Sequence, residues 1–149
     1  MTAWVLALLV LMQPQATWRA TYEATAGAIA EASVQSPLFA GADGPAKTAA
    51  LLVSVSWFEA RYNPVAVGDN GHSHGLFQAS RVPVVDVEVQ VRGALAAMRE
   101  SFRICGSRRA EDWLAFYASG SCTNAGGILA SRHRMGLAMK IWREHPYAI

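Results

Sequence analysis

Charge is scarce in this chain of 149 residues, and neither sign of charge dominates it. Charged residues make up 16% of the sequence and the formal net charge is +2, which is too small for electrostatic binding of nucleic acid. We therefore expect no nucleic-acid partner. With 52% hydrophobic residues, the chain also differs from intrinsically disordered proteins, and its length predicts one domain with its own core.

Hydrophobic runs long enough to cross a membrane are missing as well. The apolar run Trp4–Met12 is too short for a span, which needs about 20 residues. We treat residues 1–16 as an apolar N-terminal segment and residues 17–149 as the main domain. The segment fits either the hydrophobic part of a secretory signal or a core helix, although no Lys or Arg precedes the run and no clear cleavage site follows it.

Cysteine is nearly absent, with two residues in the whole chain. This count excludes a small scaffold held together by disulfides, and no Cys or His spacing indicates a structural zinc site. Cys105 and Cys122 flank a predicted helix and can close a loop over residues 106–121. In an oxidising compartment that bridge would stabilise the fold by about 3 kcal/mol, whereas in the cytosol we expect two buried thiols.

Apolar residues at helical spacing predict a mainly α domain. Helices are predicted over residues 21–33, 48–61, 86–104, 110–119 and 128–144. Residues 36–47 are predicted to form a loop. Residues 82–91 alternate like a strand, but a longer helical stripe through residue 102 favours the helix. Residues 63–83 have little periodicity and predict a loop or short irregular strand, and long loops of this kind often carry function.

Glu59 stands out because it falls in the last turn of the predicted helix 48–61, one turn after Val55. We expect it on or beside the buried face, where desolvation and the negative end of the helix both favour a protonated carboxyl group. Such an acid can donate a proton to a leaving oxygen. Arg61 is two positions away and does not face it on a helix. The alternative is an exposed Glu59 paired with a cation.

The segment that follows Glu59 contains several short motifs in a fixed order. They are Asn63-Pro64, Ala66, Gly68-Asp69, Ser73 and Gly75-Leu76-Phe77-Gln78. This order resembles the lysozyme-like superfamily, in the branch of SLT-type lytic transglycosylases and goose-type lysozymes. That branch has a catalytic Glu at a helix end, then Asn-Pro, a Gly-rich turn and a Gly-Leu-(Met/Phe)-Gln strand.

A second match lies downstream, where Phe116-Tyr117-Ala118-Ser119-Gly120 is similar to the family's Tyr-Asn-x-Gly segment. The resemblance covers roughly residues 21–143 and is strongest over residues 48–80. Two positions depart from the pattern. Ala60 stands where the family usually has Ser, and Ala118 stands where it has Asn, so the fine positioning of the acid and the sugar differs from the family's.

The resemblance implies a mainly α, lysozyme-like α+β fold in which the Gly-rich loop, or a small β-hairpin, forms one wall of a substrate groove. It implies cleavage of the β-1,4 bond between N-acetylmuramic acid and N-acetylglucosamine in peptidoglycan, with Glu59 acting as acid and then as base. The C6 hydroxyl of the sugar would then attack to give a 1,6-anhydro product. Tyr117 is expected to hydrogen-bond near Glu59 and to contact the substrate. The residues expected to bind the acetamido sugars are Ser73, Gly75, Leu76, Phe77 and Gln78.

Three alternatives to this function stay open. In an inverting hydrolase, Asp69 would activate water on the far face of the sugar, although Asp69-Asn70-Gly71 is also a strong turn signal. A catalytically inactive peptidoglycan-binding module would keep the groove without the chemistry. In a helical interaction domain, Glu59 and the loop would be incidental.

We expect no cofactor and no metal, since His72 and His74 offer fewer than the three protein ligands of a catalytic zinc site. The expected partner is the glycan strand of peptidoglycan, with no membrane span and a monomeric state. The expected location is the bacterial cell envelope, the periplasm or the medium. A phage-encoded lysin is the alternative source.

Overall fold

A computed structural model describes residues 1–148 and shows a mainly helical protein. Its α-helices are α1 (Thr2–Met12), α2 (Tyr22–Gln35), α3 (Gly44–Ala60), α4 (Val87–Cys105), α5 (Ala115–Ser119) and α6 (Ala125–Glu144). Two strands, β1 (Val67–Gly68) and β2 (Ser73–His74), pair antiparallel, with Val67 opposite His74 and Gly68 opposite Ser73. The prediction of a mainly α domain is confirmed.

The centre of the fold is α3, whose residues 48–56 are all buried. A helix that is buried on every side lies in the interior of a bundle, and α1, α2 and α6 pack around α3. The N-terminal helix α1 adds Val5, Leu8 and Leu9 to the core. No helix among residues 1–148 is both long and apolar enough to cross a membrane.

Two helices begin where their capping residues allow. The predicted loop over residues 36–47 is too long, because α3 begins at Gly44 with a proline in its first turn, a position that tolerates proline. The start of α4 follows Asp86, whose side chain accepts a hydrogen bond from the Val89 N–H and so caps the helix. Its apolar stripe buries Val91 and Leu95, so the helical period prevails over the strand-like alternation.

The prediction of one continuous helix over residues 110–119 is wrong. A 3₁₀ turn (Ala110–Asp112) precedes the short helix α5. Serines on two other helices bond the backbone at this break. Ser101 donates to the Trp113 carbonyl and accepts from the Tyr117 N–H, and Ser131 accepts from the Leu114 N–H. These tertiary hydrogen bonds replace the local ones that a longer helix would make.

Cys105 and Cys122 form a disulfide with a Cα–Cα distance of 5.5 Å, which confirms the predicted pairing. The bridge joins the last residue of α4 to the loop that precedes α6. It thereby encloses α5, the helix that carries Tyr117.

Candidate active site

A groove of about 620 Å³ opens beside the C-terminal end of α3. Its walls come from α3, from residues 67–80, which contain β1 and β2 and which we call the hairpin region, and from α4, α5 and α6. The predicted site residues that line it are Glu59, Asp69, Phe77, Gln78 and Tyr117. Residues that are far apart in the sequence therefore meet at one surface.

Glu59 is the penultimate residue of α3, and its side chain is 18% exposed. The guanidinium of Arg134, on α6, donates to Glu59 Oε1 from both Nε and Nη2, with the Nε–Oε1 distance at 3.1 Å. The Ser54 hydroxyl donates to the Arg134 carbonyl at 2.7 Å. This bond fastens α6 to α3 and holds Arg134 in reach of the carboxylate.

The sequence left two positions open for Glu59, one beside the buried face and one exposed and paired with a cation. The structure combines parts of both, because Glu59 is only 18% exposed and is paired with Arg134. The expectation for Arg61 holds, since its guanidinium stacks on Trp57, 3.8 Å from the ring centroid. Among residues 1–148, Glu59 Oε2 accepts no hydrogen bond, so one oxygen is held and the other is available.

Tyr117 links α5 to the hairpin region, because its hydroxyl donates to the Phe77 carbonyl at 2.8 Å. Burial raises the pKa of this hydroxyl well above its usual range, and the nearby Glu59 charge acts in the same direction while Arg134 opposes it. Tyr117 therefore stays a hydrogen-bond donor at neutral pH. Tyr117 and Glu59 both line the groove, but the Tyr117 hydroxyl donates to the Phe77 carbonyl and not to Glu59.

Asp69 has a positive φ of 49° and begins the 3₁₀ turn between β1 and β2. Its carboxylate accepts a hydrogen bond from the Ser73 hydroxyl at 2.5 Å, which closes the turn. Asp69 also lines the groove. Asp69 is therefore both a turn residue, as its sequence signal predicted, and a residue that lines the groove.

The expectation of a strand over residues 75–78 is wrong. Gly75 and Gln78 both have positive φ, which interrupts an extended backbone and turns the chain. Leu76 is fully buried and its N–H donates to the Gln90 side chain at 2.7 Å. It belongs to the core and is unavailable to a sugar.

The remaining loop residues fall into two groups. Phe77 and Gln78 line the groove, while Ser73 is engaged with Asp69 and Gly75 lies against the Gln90 amide. The Gln78 side-chain N–H donates to the Gly75 carbonyl at 2.9 Å, so this amide braces the loop. Phe77 and Gln78 therefore remain candidate sugar contacts, while the Ser73 hydroxyl and the Gly75 N–H make hydrogen bonds within the protein.

The sequence prediction did not include Glu100 in the site, although it lines the groove from α4. Arg103 donates to Glu100 from Nε at 2.8 Å, and these hydrogen bonds lower the pKa of the Glu100 carboxyl below its usual range. The spacing of the two residues signals an ion pair on a helix. It does not signal a position at the groove.

The two histidines of the loop do not gather ligands for a metal. The His74 ring lies 3.0 Å from the Gly71 carbonyl through Nε2. Within residues 1–148 there is no group of three His, Cys, Asp or Glu side chains that could hold a metal ion.

Comparisons with protein-family models, with curated proteins and with solved structures find no match to this chain. Its function is therefore inferred from the residues and geometry of the groove.

Proposed function

We propose that this protein cleaves the β-1,4 glycosidic bonds of peptidoglycan in the manner of a lytic transglycosylase, with Glu59 transferring the protons. The observation that supports this most directly is the placement of Glu59. Its carboxylate is only 18% exposed, lies at the wall of a groove of about 620 Å³, and has one oxygen held by Arg134. A catalytic carboxyl group needs this combination of fixed position and access to a ligand.

The two oxygens of Glu59 divide the work. Arg134 occupies Oε1, so Oε2 is the atom that carries the proton to the leaving glycosidic oxygen. The bond between this oxygen and C1 of N-acetylmuramic acid breaks. The C6 hydroxyl of the N-acetylmuramic acid then attacks C1 and gives its proton to Oε2. One carboxyl group thus begins and ends the cycle protonated, and no second carboxylate is needed.

The hydrogen bond from the Tyr117 hydroxyl to the Phe77 carbonyl holds the hairpin region against α5. This bond fixes the width of the groove at the point where the sugar would lie. A fixed groove reduces the entropy lost when the glycan binds.

An inverting hydrolase is the second candidate, because Asp69 lines the same groove as Glu59. In that reaction Asp69 would take a proton from water while Glu59 protonates the leaving oxygen. The product would be a reducing sugar and not a 1,6-anhydro sugar.

An extracytoplasmic location agrees with this proposal. Peptidoglycan lies outside the cytoplasm, and the Cys105–Cys122 disulfide is of the kind that persists in oxidising compartments.

The decisive experiment is incubation with purified peptidoglycan, followed by mass analysis of the products. Anhydro-muropeptides support the transglycosylase, reducing-end products support the hydrolase, and an absence of products from the wild type leaves a binding module. Glu59→Gln is expected to lower turnover by about 10²- to 10⁴-fold, the usual contribution of a general acid, while binding to the glycan survives.

Glu100→Gln is the matched control, because Glu100 lines the same groove but is paired with Arg103 through an exposed ion pair. We expect turnover within a few-fold of the wild type. Wild-type turnover in Glu59→Gln would remove Glu59 from the mechanism.

A further inference from the structure

The chain turns sharply just after Glu59, at the point where α3 ends. Arg61 and Tyr62 both have a left-handed backbone, with φ of 49° and 64°. Residues other than glycine rarely adopt this conformation, and they do so as single residues more readily than in succession. Contacts from the surrounding structure must therefore hold this turn in place.

The turn closes the C-terminal end of α3 around Glu59. The Arg61 N–H donates to the Trp57 carbonyl at 3.3 Å, and the Tyr62 N–H donates to the Ser56 carbonyl at 3.4 Å. Both bonds need the left-handed backbone, which folds the chain back over the end of the helix. Glu59 lies between these donors and acceptors in the sequence, so its helical position depends on the closed turn.

One half of the turn is held from inside the core. Tyr62 is fully buried, and its ring packs edge-on against Tyr22 with the centroids 6.0 Å apart. Its hydroxyl donates to the Met12 sulfur at 3.0 Å, and burial raises the pKa of this hydroxyl well above its usual range, so it stays a donor. The buried side chain therefore holds Tyr62 in its left-handed conformation.

The other half of the turn, Arg61, is held from the protein surface. Its side chain is exposed, and its guanidinium stacks on Trp57 of the same helix. A hydrogen bond from another part of the chain reaches its backbone, because the Trp18 indole N–H donates to the Arg61 carbonyl at 2.9 Å. Trp18 lies between α1 and α2 and packs against the core, so the donor is itself fixed.

We propose that Trp18 is a positioning residue for Glu59, on which it acts by fixing the left-handed Arg61 at the end of α3. This inference rests on the proposed function and gives the segment between α1 and α2 a part in it. Trp18 is not among the residues that line the groove, so it acts on the placement of the acid and not on the glycan. Without its hydrogen bond the end of α3 unwinds in a fraction of the molecules, and there Glu59 is misplaced for proton transfer.

Three substitutions test this role. Trp18→Phe removes the indole N–H and keeps an aromatic ring. Trp4→Phe is the matched control, because the Trp4 indole also donates to a distant backbone carbonyl, that of His145, at 2.8 Å. Arg61→Gly is the rescue, since glycine adopts a left-handed backbone without steric cost and does not need the hydrogen bond from Trp18.

The first measurement is steady-state kinetics on peptidoglycan. We expect Trp18→Phe to lower kcat by about 2- to 10-fold, the factor that one lost hydrogen bond allows, with KM nearly unchanged. Trp4→Phe and Arg61→Gly should keep the wild-type kcat, and the double variant Trp18→Phe/Arg61→Gly should recover it. Circular dichroism checks that each variant folds.

Three kinetic results would overturn the inference. An unchanged kcat in Trp18→Phe would show that the hydrogen bond does not matter for Glu59. Equal losses in Trp18→Phe and Trp4→Phe would show a general effect on stability. A loss in Trp18→Phe that Arg61→Gly does not restore would show that Trp18 acts elsewhere than on the turn.

Hydrogen exchange decides the inference if the wild type cleaves no peptidoglycan, in which case the proposed function fails. The Arg134 Nε–H donates to Glu59 Oε1, so its exchange rate in NMR spectra reports whether Glu59 stays in place. This N–H and the Tyr62 backbone N–H should exchange about 2- to 10-fold faster in Trp18→Phe. Trp4→Phe and the double variant should show wild-type rates. An unchanged rate at either N–H in Trp18→Phe overturns the inference.

Discussion

Arg132 and Arg134 lie two residues apart on α6, and each pairs with a carboxylate from another element, but the two ion pairs differ in geometry. We call Arg134 with Glu59 the groove pair and Arg132 with Asp112 the clamp pair. In the clamp pair both carboxylate oxygens are engaged, at 2.7 Å from Nε and 3.3 Å from Nη2. In the groove pair both nitrogens converge on one oxygen.

The two pairs also differ in which partner is exposed to solvent. The Asp112 side chain is 6% exposed and its arginine is 46% exposed, so the carboxylate is covered and the cation faces water. In the groove pair the arginine is 13% exposed and Glu59 lines an open cavity. A fully bonded, covered carboxylate holds structure in place. A half-bonded carboxylate at a cavity keeps an oxygen for a ligand or a proton.

Catalysis should separate the pairs most strongly. Arg134→Gln is expected to lower kcat by about 10- to 100-fold with little change in KM, because an unfixed Glu59 loses the geometry for proton transfer. Arg132→Gln should stay within about twofold of the wild type. Steady-state kinetics on peptidoglycan provide the measurement.

Arg134→Lys provides a check on this prediction. It keeps the charge but cannot reproduce the planar, two-nitrogen contact, so we expect partial recovery of kcat. Equal effects of the two glutamine variants would mean that Arg134 supports the fold alone.

Stability should rank the pairs the other way. Asp112→Asn points an amide N–H₂ at a guanidinium that used both oxygens, and we expect a loss of about 1–3 kcal/mol in the free energy of unfolding. Glu59→Gln can keep its carbonyl oxygen on Arg134 and turn the amide toward the groove, so the change should stay below about 1 kcal/mol. Urea denaturation with the disulfide intact compares the two. A larger loss for Glu59→Gln would reverse the comparison.

The sequence predicted those parts of the fold and site that depend on neighbours along the chain. The helical periodicity of α2, α3 and α4, the position of Glu59 at a helix end and the pairing of Cys105 with Cys122 all belong to this group. Arg134 could not be found in this way, because it reaches Glu59 only after α6 packs on α3 and Ser54 bonds its carbonyl. Leu76 was misplaced for the same reason, since Gln90 on α4 draws its backbone into the core.

The pH dependence of the free energy of unfolding tests the clamp pair separately from the groove pair. The hydrogen bonds from Arg132 lower the pKa of the Asp112 carboxyl below its usual range, and burial opposes this with a smaller effect. The unfolded chain therefore binds a proton at Asp112 before the folded protein does as the pH falls. The contribution of Asp112 to stability is complete above the unfolded pKa of about 3.9 and is lost as the pH drops through the lower, folded pKa.

The stability difference between the wild type and Asp112→Asn should therefore be constant near neutral pH and shrink below about pH 4. In an Arg132→Gln background the same difference should be smaller and vary less with pH, because the main cause of the lowered pKa is gone. Urea denaturation of the four proteins between pH 3 and pH 7 forms a double-mutant cycle that isolates the pair. If the cycle shows no coupling at neutral pH, Arg132 is a surface charge that happens to lie near Asp112, and the contrast with the groove pair no longer holds.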